Sequence, residues 1–274
     1  MFQFNFKIQE DDKEVKTGEE KGGNDEKNVP DDEIVASEEV TLPEDLSVDE
    51  LNGQSSLFIS RDTEIFVRDS VDEFSNEGNE SSHTDLIPGE YEGGFKIWEC
   101  TQDLADYMLD KLAEVIHGKR VLDLGCGAGV LGIIALKLGA ERCCFQDYNK
   151  SVLQKYTIPN VLLNSEIDDK VSIDKCQFYS GDWKSFTTDV DTEFDLILTS
   201  ETIYNPANNQ KLIDLFVRKL KKNGSVILAA KTYYFGVGGG LRQFEELLSG
   251  RMQNSVVWKN SDGVTREIIK IEHV

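Results

Sequence analysis

Apolar and polar positions repeat with two different periods along the chain, and the switches between them predict its elements. The run Val121–Leu124 is apolar except for Asp123. Glycines come next at alternate positions, Gly125, Gly127 and Gly129, before an apolar helical pattern over Val130–Leu138 that Gly139 closes. A buried strand, a tight glycine turn and a helix N-terminus in direct succession make the mouth of a doubly wound sheet. Upstream, Leu104, Ala105, Met108, Leu112, Val115 and Ile116 recur at helical spacing on one face, and Gly118 ends that helix. Downstream, strands are predicted at Arg142–Gln146, Gln177–Tyr179, Phe194–Thr199 and Ser225–Ala230. A helix over Ser151–Leu163 must be terminated or kinked by Pro159. An amphipathic helix over Asn209–Lys222 is capped by Asn223-Gly224. A glycine loop at Gly236–Gly240 and the helix Leu241–Leu248 lead to a closing antiparallel pair, Val256–Trp258 and Glu267–Glu272. Strands alternating with helices, then two without a helix between them, predict an α/β fold: a doubly wound, mostly parallel seven-stranded sheet with an antiparallel C-terminal edge. Ligands in such sheets sit beyond the carboxyl ends of the strands, here Gly125, Asp147, Gly181-Asp182-Trp183 and Ser200-Glu201.

The periodicity fails before residue 86. From Gln9 to about Asn52 the chain is rich in Glu, Asp and Lys with few large apolar groups, which predicts disorder. The Phe2, Phe4, Phe6 alternation fits either a small edge strand or a loose terminus. Two short β-like runs, LFIS and EIFV, lie between Ser56 and Val71, and Asn76–His83 is polar again. The organisation expected is an acidic, mostly disordered region over 1–85 and a folded domain over 86–274.

Charge sharpens that division. The net charge of −22 falls unevenly: residues 1–90 hold 26 acidic and 7 basic side chains, the remaining 184 hold 25 and 22. A nearly neutral domain lacks the concentrated basic face of a nucleic-acid grip. The acidic arm favours encounter with a basic protein partner, or serves only solubility. Five cysteines (Cys100, Cys126, Cys143, Cys144, Cys176) without CxxC spacing read as small buried apolar residues of a reducing compartment. His83, His117 and His273 lie far apart without zinc-site context, so no metal is expected. No apolar run reaches the ~18 residues of a membrane span, and an intracellular protein is expected.

The rim carries the chemistry. GxGxxG is met at Gly127, Gly129 and Gly132, so a nicotinamide cofactor must be weighed. Against it, the glycine turn already starts at Gly125, and Asp123 sits inside the strand. A carboxylate there either orders the loop or accepts a hydrogen bond from a cationic amino-acid moiety, which suits S-adenosylmethionine. Asp147, 20 residues past Gly127, is placed to take two ribose hydroxyls, a need both cofactors share; its alternative is a strand-end turn residue. Asp182 and Trp183 offer an acceptor for an adenine amino group and an aromatic wall, unless Trp183 is ordinary core.

With VLDLGCGAG as a first motif, the chain resembles the seven-β-strand class I methyltransferases. YEGGFKIWECT, FQDYN, SETIYNP and KTYYFGVGGG together are similar to the eukaryotic histidine protein methyltransferase family, and MFQFNF and TIPNV also match. The resemblance covers roughly residues 84–274 and the first few. It implies that Ile97, Trp98, Glu99, Cys100 and Thr101 cover an S-adenosyl-L-methionine cofactor. Gly125 becomes the motif-one glycine, Gln146, Asp147 and Tyr148 lie beside the ribose, Gly181, Asp182 and Trp183 frame the adenine, and Ser200 closes the site. The implied reaction is methyl transfer to a histidine of a basic large-subunit ribosomal protein, by a monomer in cytoplasm and nucleus. Imidazole, with a pKa near 6.5, is already mostly neutral at pH 7, whereas a lysine near 10.4 costs roughly 4.6 kcal/mol to deprotonate. Alignment therefore matters more than a strong base. Candidates to hold the second ring nitrogen are Glu201, Tyr204 and Asn205, with Tyr233 and Tyr234 across the cleft; a plain turn and core tyrosines are the alternatives. The Gly236–Gly240 loop reads equally as a mobile lip or as a rigid turn. Competing functions are a lysine methyltransferase of the same fold, a non-catalytic S-adenosylmethionine-binding scaffold and, weakest, a nicotinamide oxidoreductase.

Overall fold

A computed structural model of the chain describes residues 34–42, 55–69, 92–236 and 238–274. Its principal elements begin with β1 (Glu38–Glu39), β2 (Ser55–Ser60), β3 (Thr63–Arg68), α1 (Glu99–Tyr107), a π turn (Met108–Leu112) and α2 (Ala113–Ile116). The central part holds β4 (Arg120–Leu124), α3 (Val130–Lys137), β5 (Arg142–Asp147), α4 (Lys150–Val152), a second π turn (Leu153–Thr157), α5 (Ile158–Ser165) and β6 (Cys176–Ser180). Then come α6 (Trp183–Asp189), β7 (Phe194–Ser200), α7 (Asn209–Lys219), β8 (Leu220–Lys231), α8 (Leu241–Leu248), β9 (Met252–Lys259) and β10 (Arg266–His273).

The sheet order is β1-β6-β5-β4-β7-β8-β10-β9. Strands β6, β5, β4, β7 and β8 run parallel, β10 is antiparallel to both β8 and β9, and β1 is antiparallel to β6. The seven strands expected from the sequence form this doubly wound sheet together with an eighth, β1, at its edge. The order turns back at β4, so the carboxyl end of β4 is the switch point where a crevice opens. Side chains of β4 divide between two cores, Val121 joining Leu104, Ile133 and Phe145, Leu122 and Leu124 joining Phe186, Leu215 and Phe216. Helix α3 is apolar all round and buried from Val130 to Leu136. Each fully buried side chain of this kind contributes about 1.5–3 kcal/mol, which fixes the strand ends that form the site.

Several elements differ from expectation, each for a physical reason. Val115 is exposed rather than on the buried face, because the π turn at Met108–Leu112 adds a residue to the turn and rotates the helix beyond it. Pro159 does not end its helix. The second π turn precedes it, and the Lys155 carbonyl, which a proline lacking N–H cannot bond, accepts from Arg68 Nη1 at 3.1 Å. Helix α7 stops at Lys219 rather than Lys222, because Leu220 turns into the core and Lys221 pairs with Asp195 at 2.9 Å. Asn223-Gly224 consequently lies within the bounds of β8. Helix α6 is not predicted from its sequence WKSFTTD, which has little helical propensity; Asp182 caps it through Lys184 N at 2.7 Å.

The acidic region also contributes structure. Glu38–Glu39 extend the sheet beyond β6, and the β2–β3 hairpin packs on the domain through buried Ile65 and Val67. Two asparagines of α5 act as its edge partner: Asn164 bonds Phe66 N (3.1 Å) and Phe66 O (2.8 Å), and Asn160 bonds Arg68 N (2.7 Å). A boundary at residue 86 thus leaves out a strand that joins the sheet and a hairpin that packs on α5. The rest of the region read as disordered, with Phe2, Phe4 and Phe6, lies outside the described residues.

Candidate active site

Three neighbouring strands end in carboxylates around the switch point: Asp123 within β4, Asp147 closing β5 and Asp182 just past β6. Between them runs the glycine turn. Gly127 has φ of 48°, and a Cβ there would sit 2.9 Å from Gly94 O, so only glycine lets these two backbones meet. Side chains from the next helical segment hold the turn in place: Thr157 Oγ1 donates to Gly127 O (2.6 Å) and Asn160 Nδ2 to Ala128 O (2.9 Å). Asp147 Oδ2 accepts from Gly127 N (2.9 Å) and its Oδ1 from Asn149 N (3.1 Å). Asp123 Oδ2 accepts from Gly132 N in the first turn of α3 (2.8 Å).

The N-terminus of α1 covers the crevice. Thr101 and Ser200 hydroxyls are 2.9 Å apart, Trp98 Nε1 donates to Gly93 O (3.2 Å), and Lys96 Nζ lies 4.6 Å from the centre of the Trp98 ring. Opposite, Trp183 Nε1 donates to Gln146 Oε1 (3.0 Å) while Gln146 Nε2 donates to Gly181 O (2.8 Å), so a buried amide sets the angle of the indole. Asp182 receives Lys211 Nζ at 2.7 Å as well as its capping bond. Together these groups enclose a cavity of about 700 Å³.

Its far wall runs along the end of β7. Glu201 is buried with φ of 58°, a strained conformation for a non-glycine residue and of a kind concentrated at functional sites. Its carboxylate accepts from Cys100 N (3.4 Å) and lies 3.6 Å from Lys231 Nζ, which is also 3.1 Å from Glu99 Oε2. Burial by itself would lower the Lys231 pKa, but Glu201 and Glu99 outweigh it and hold the ammonium above its usual range. Two carboxylates sharing one ammonium leave a net charge of −1 beside the cavity.

Residues 88–235, more than half of the chain, match the family model described as lysine methyltransferase. The chain belongs to that family. Among curated relatives, the histidine protein methyltransferase 1 homolog of Bos taurus is 47% identical over 195 residues, covering 62% of this chain and 52% of the relative. That of Dictyostelium discoideum is 46% identical over 193 residues, covering 69% and 60%. The chain thus spans little more than half the length of these relatives. A Streptococcus mutans structure assigned as a SAM-dependent methyltransferase matches with a TM-score of 0.54 at 14% identity, covering 80% of this chain and 55% of that one, a likeness of fold.

Most of the residues picked out by sequence line this methyltransferase-family cavity: Ile97, Trp98 and Thr101 from the cover, Asp123, Gly125 and Gly127 from the turn, Asp147 and Tyr148, Asp182 and Trp183, then Ser200, Glu201, Tyr204 and Asn205. Four cofactor candidates do not. Glu99 faces Lys231, Cys100 is wholly buried behind the cover, and Gln146 and Gly181 act behind Trp183. Tyr233 and Tyr234 do not line this cavity either. Tyr234 is buried, its hydroxyl accepting from Lys231 N (3.3 Å), and Tyr233 is exposed edge-on to Phe235. Of the glycine loop, the Gly239–Gly240 end is packed: a Cβ on Gly239 would meet Tyr204 O at 2.2 Å and one on Gly240 would meet Thr232 O at 2.5 Å, whereas Gly238 has open space around it and residue 237 lies outside the described residues. Sequence reasoning missed Lys211, Thr202, Ile34 and Val35 as cavity residues. Lys211 becomes legible as the helical position opposite Asp182 only once the packing of α6 on α7 is known.

Burial sets the protonation of the two inner carboxylates. Asp123 is raised to about 8 by burial, partly offset by the Gly132 N–H, so near pH 7 it keeps its proton and orders the loop. A carboxyl whose folded value lies above its ordinary one contributes stability below that ordinary value and loses it as pH rises through the folded value. Asp123→Asn is therefore expected to melt higher than the wild type at pH 8 and to lose most of that advantage by pH 5. Parallel thermal unfolding curves check this; a difference that does not change with pH refutes it.

Proposed function

We propose that the chain is an S-adenosylmethionine-dependent protein methyltransferase whose acceptor is a histidine side chain. The observation that carries the donor is the arrangement of Asp147, Asp182-Trp183 and a glycine turn without Cβ atoms around one crevice. Asp147 would hold the ribose hydroxyls, and Trp183 would stack on the adenine. When bound, the donor supplies an electrophilic methyl carbon: the imidazole nitrogen lone pair forms the N–C bond as the C–S electrons return to sulfur.

The protein's own part is alignment and charge. Glu201 is already committed to Cys100 N and Lys231, so its contribution is a fixed negative potential that favours the imidazolium formed. Among the described residues the Tyr204 hydroxyl has no hydrogen-bond partner, and it is the acceptor we assign to the second ring N–H. Asn205 Oδ1 caps the short turn at Ala207 N (3.1 Å), which leaves its amide N–H groups to face the acceptor backbone. Tyr204→Phe is expected to lower kcat about tenfold, one hydrogen bond's worth, with the donor Kd unchanged. A stopped assay and calorimetry separate the two, and an unchanged kcat removes Tyr204 from this role.

Histidine is favoured over the lysine of the family's description by the relatives at 46–47% identity, which carry the name histidine protein methyltransferase 1 homolog. The acidic arm supports a basic target, and a large-subunit ribosomal protein, met by a monomer in cytoplasm or nucleus, is the target class we infer. Incubating methyl-labelled donor and a cell extract with the wild type and with Asp147→Ala tests the whole reading. Label on a histidine, dependent on Asp147, is the expected result. Label on lysine overturns the acceptor, and no label with the wild type overturns the enzyme in favour of a scaffold.

A further inference from the structure

Residues 34–42 come from the acidic arm, far in sequence from the glycine turn, yet they are built onto the rim of the cavity. Val40 is buried in the core and its N–H donates to Phe178 O (2.8 Å), while Glu38 and Glu39 pair with Ser180 and Tyr179. Lys150 Nζ meets Glu38 Oε1 at 2.6 Å. Just before this anchor, the Val35 carbonyl accepts from Asp182 N (3.0 Å) and from Ser185 Oγ (2.6 Å). The arm therefore bonds the backbone of the very residue whose side chain caps α6 and binds Lys211.

The fit at Gly181 is closer still. Gly181 has φ of 108°, and a Cβ there would stand 2.3 Å from Ala36 O, so the end of β6 accommodates the arm only because this position is glycine. Ile34 and Val35 line the same cavity as Trp183, and they are 44% and 42% exposed. Two exposed aliphatic side chains in a segment otherwise reading DDE and SEE have no solubility purpose. A flat, largely apolar group held against Trp183 would cover them.

We propose that residues 34–40 are a built part of the donor site, with Ile34 and Val35 forming the outer wall of the subsite for the donor's adenine. This rests on the reading of the crevice as an S-adenosylmethionine site. The arm thereby couples two things: its strand fixes the Asp182–Trp183 end of the pocket, and its apolar pair closes that end over the base. The donor-binding unit extends from residue 34.

The test uses the full chain and S-adenosylhomocysteine as probe. The double variant Ile34→Ser/Val35→Ser keeps the backbone bonds of the arm and removes only its apolar wall. Calorimetry is expected to give a Kd about tenfold weaker than the wild type, with an unchanged melting temperature in the absence of probe. Amide exchange at 34–40 and at Asp182 is expected to slow in the wild type when the probe is added. Wild-type binding with the double variant within twofold of it, and no slowing over 34–40, overturns the arm's role and leaves the donor site standing. Failure of the wild type to bind the probe overturns the donor reading itself, and this inference with it.

Discussion

Asp147→Ala is expected to weaken S-adenosylhomocysteine binding at least about 100-fold while the protein remains folded. The carboxylate is 4% exposed and already fixed by Gly127 N and Asn149 N, so it meets a ligand without reorganising. Hydrogen bonds to a charged acceptor contribute about 1.5–3 kcal/mol each, and two hydroxyls would be lost together. The Gly127 N–H also loses its partner, which loosens the turn under the donor. Calorimetry on the variant checks this, and a Kd within threefold of the wild type refutes it. Burial raises the Asp147 pKa to about 6, against the lowering effect of the N–H bonds from Gly127, Asn149 and Tyr148. Two opposite pH trends result. Probe affinity should fall about tenfold per unit below pH 6, because the protonated acid accepts poorly. The carboxyl's own contribution to folding runs the other way, increasing as pH falls from 6 towards its ordinary value, and comparison with Asp147→Asn isolates it.

The second large effect is on stability. Gly132→Ala would place a Cβ 2.2 Å from Phe145 Cε1, 2.6 Å from its Cζ and 2.9 Å from Cys143 Sγ. Phe145 is fully buried and stacked on Phe178 with ring centres 5.2 Å apart, so it has little room to yield. Overpacking of this kind costs about 2–3 kcal/mol, or roughly 6–10 °C in melting temperature for a domain of this size. Differential scanning calorimetry reads it directly, and a shift under about 2 °C would show that the Phe145 ring moves aside. The third glycine of the GxGxxG spacing therefore seats α3 on β5, a packing task independent of which nucleotide the crevice takes.

About half of the cavity wall is legible in the sequence, chiefly where its residues come directly after strands that period and composition reveal. Asp147 and Asp182-Trp183 stand at strand ends, and a strand end in a parallel sheet is a place in space as well as in sequence. Glu99 and Cys100, expected on the cavity wall, lie off it because a helix N-terminus shows adjacent residues to opposite sides: Trp98 and Thr101 face the crevice, while Glu99 turns to Lys231. Gln146 lies off it because alternation along β5 sends it towards Trp183 rather than to the ligand.

The sequence by itself determined the α/β class, the seven strands from β4 onward and the chemistry of the inner rim, since these depend on local periodicity and on residues adjacent in the chain. Tertiary structure alone decided the order of the strands, that Asn160 and Asn164 hold the hairpin, that Glu201 is tied to Lys231 and Cys100, and that Val35 of the acidic arm bonds Ser185 at the rim of the pocket. Those contacts join residues 30 to 150 positions apart, and each depends on a polar side chain meeting a distant backbone or charged group. A hydrophobic pattern carries no signal for a hydrogen bond made only when two distant backbones meet.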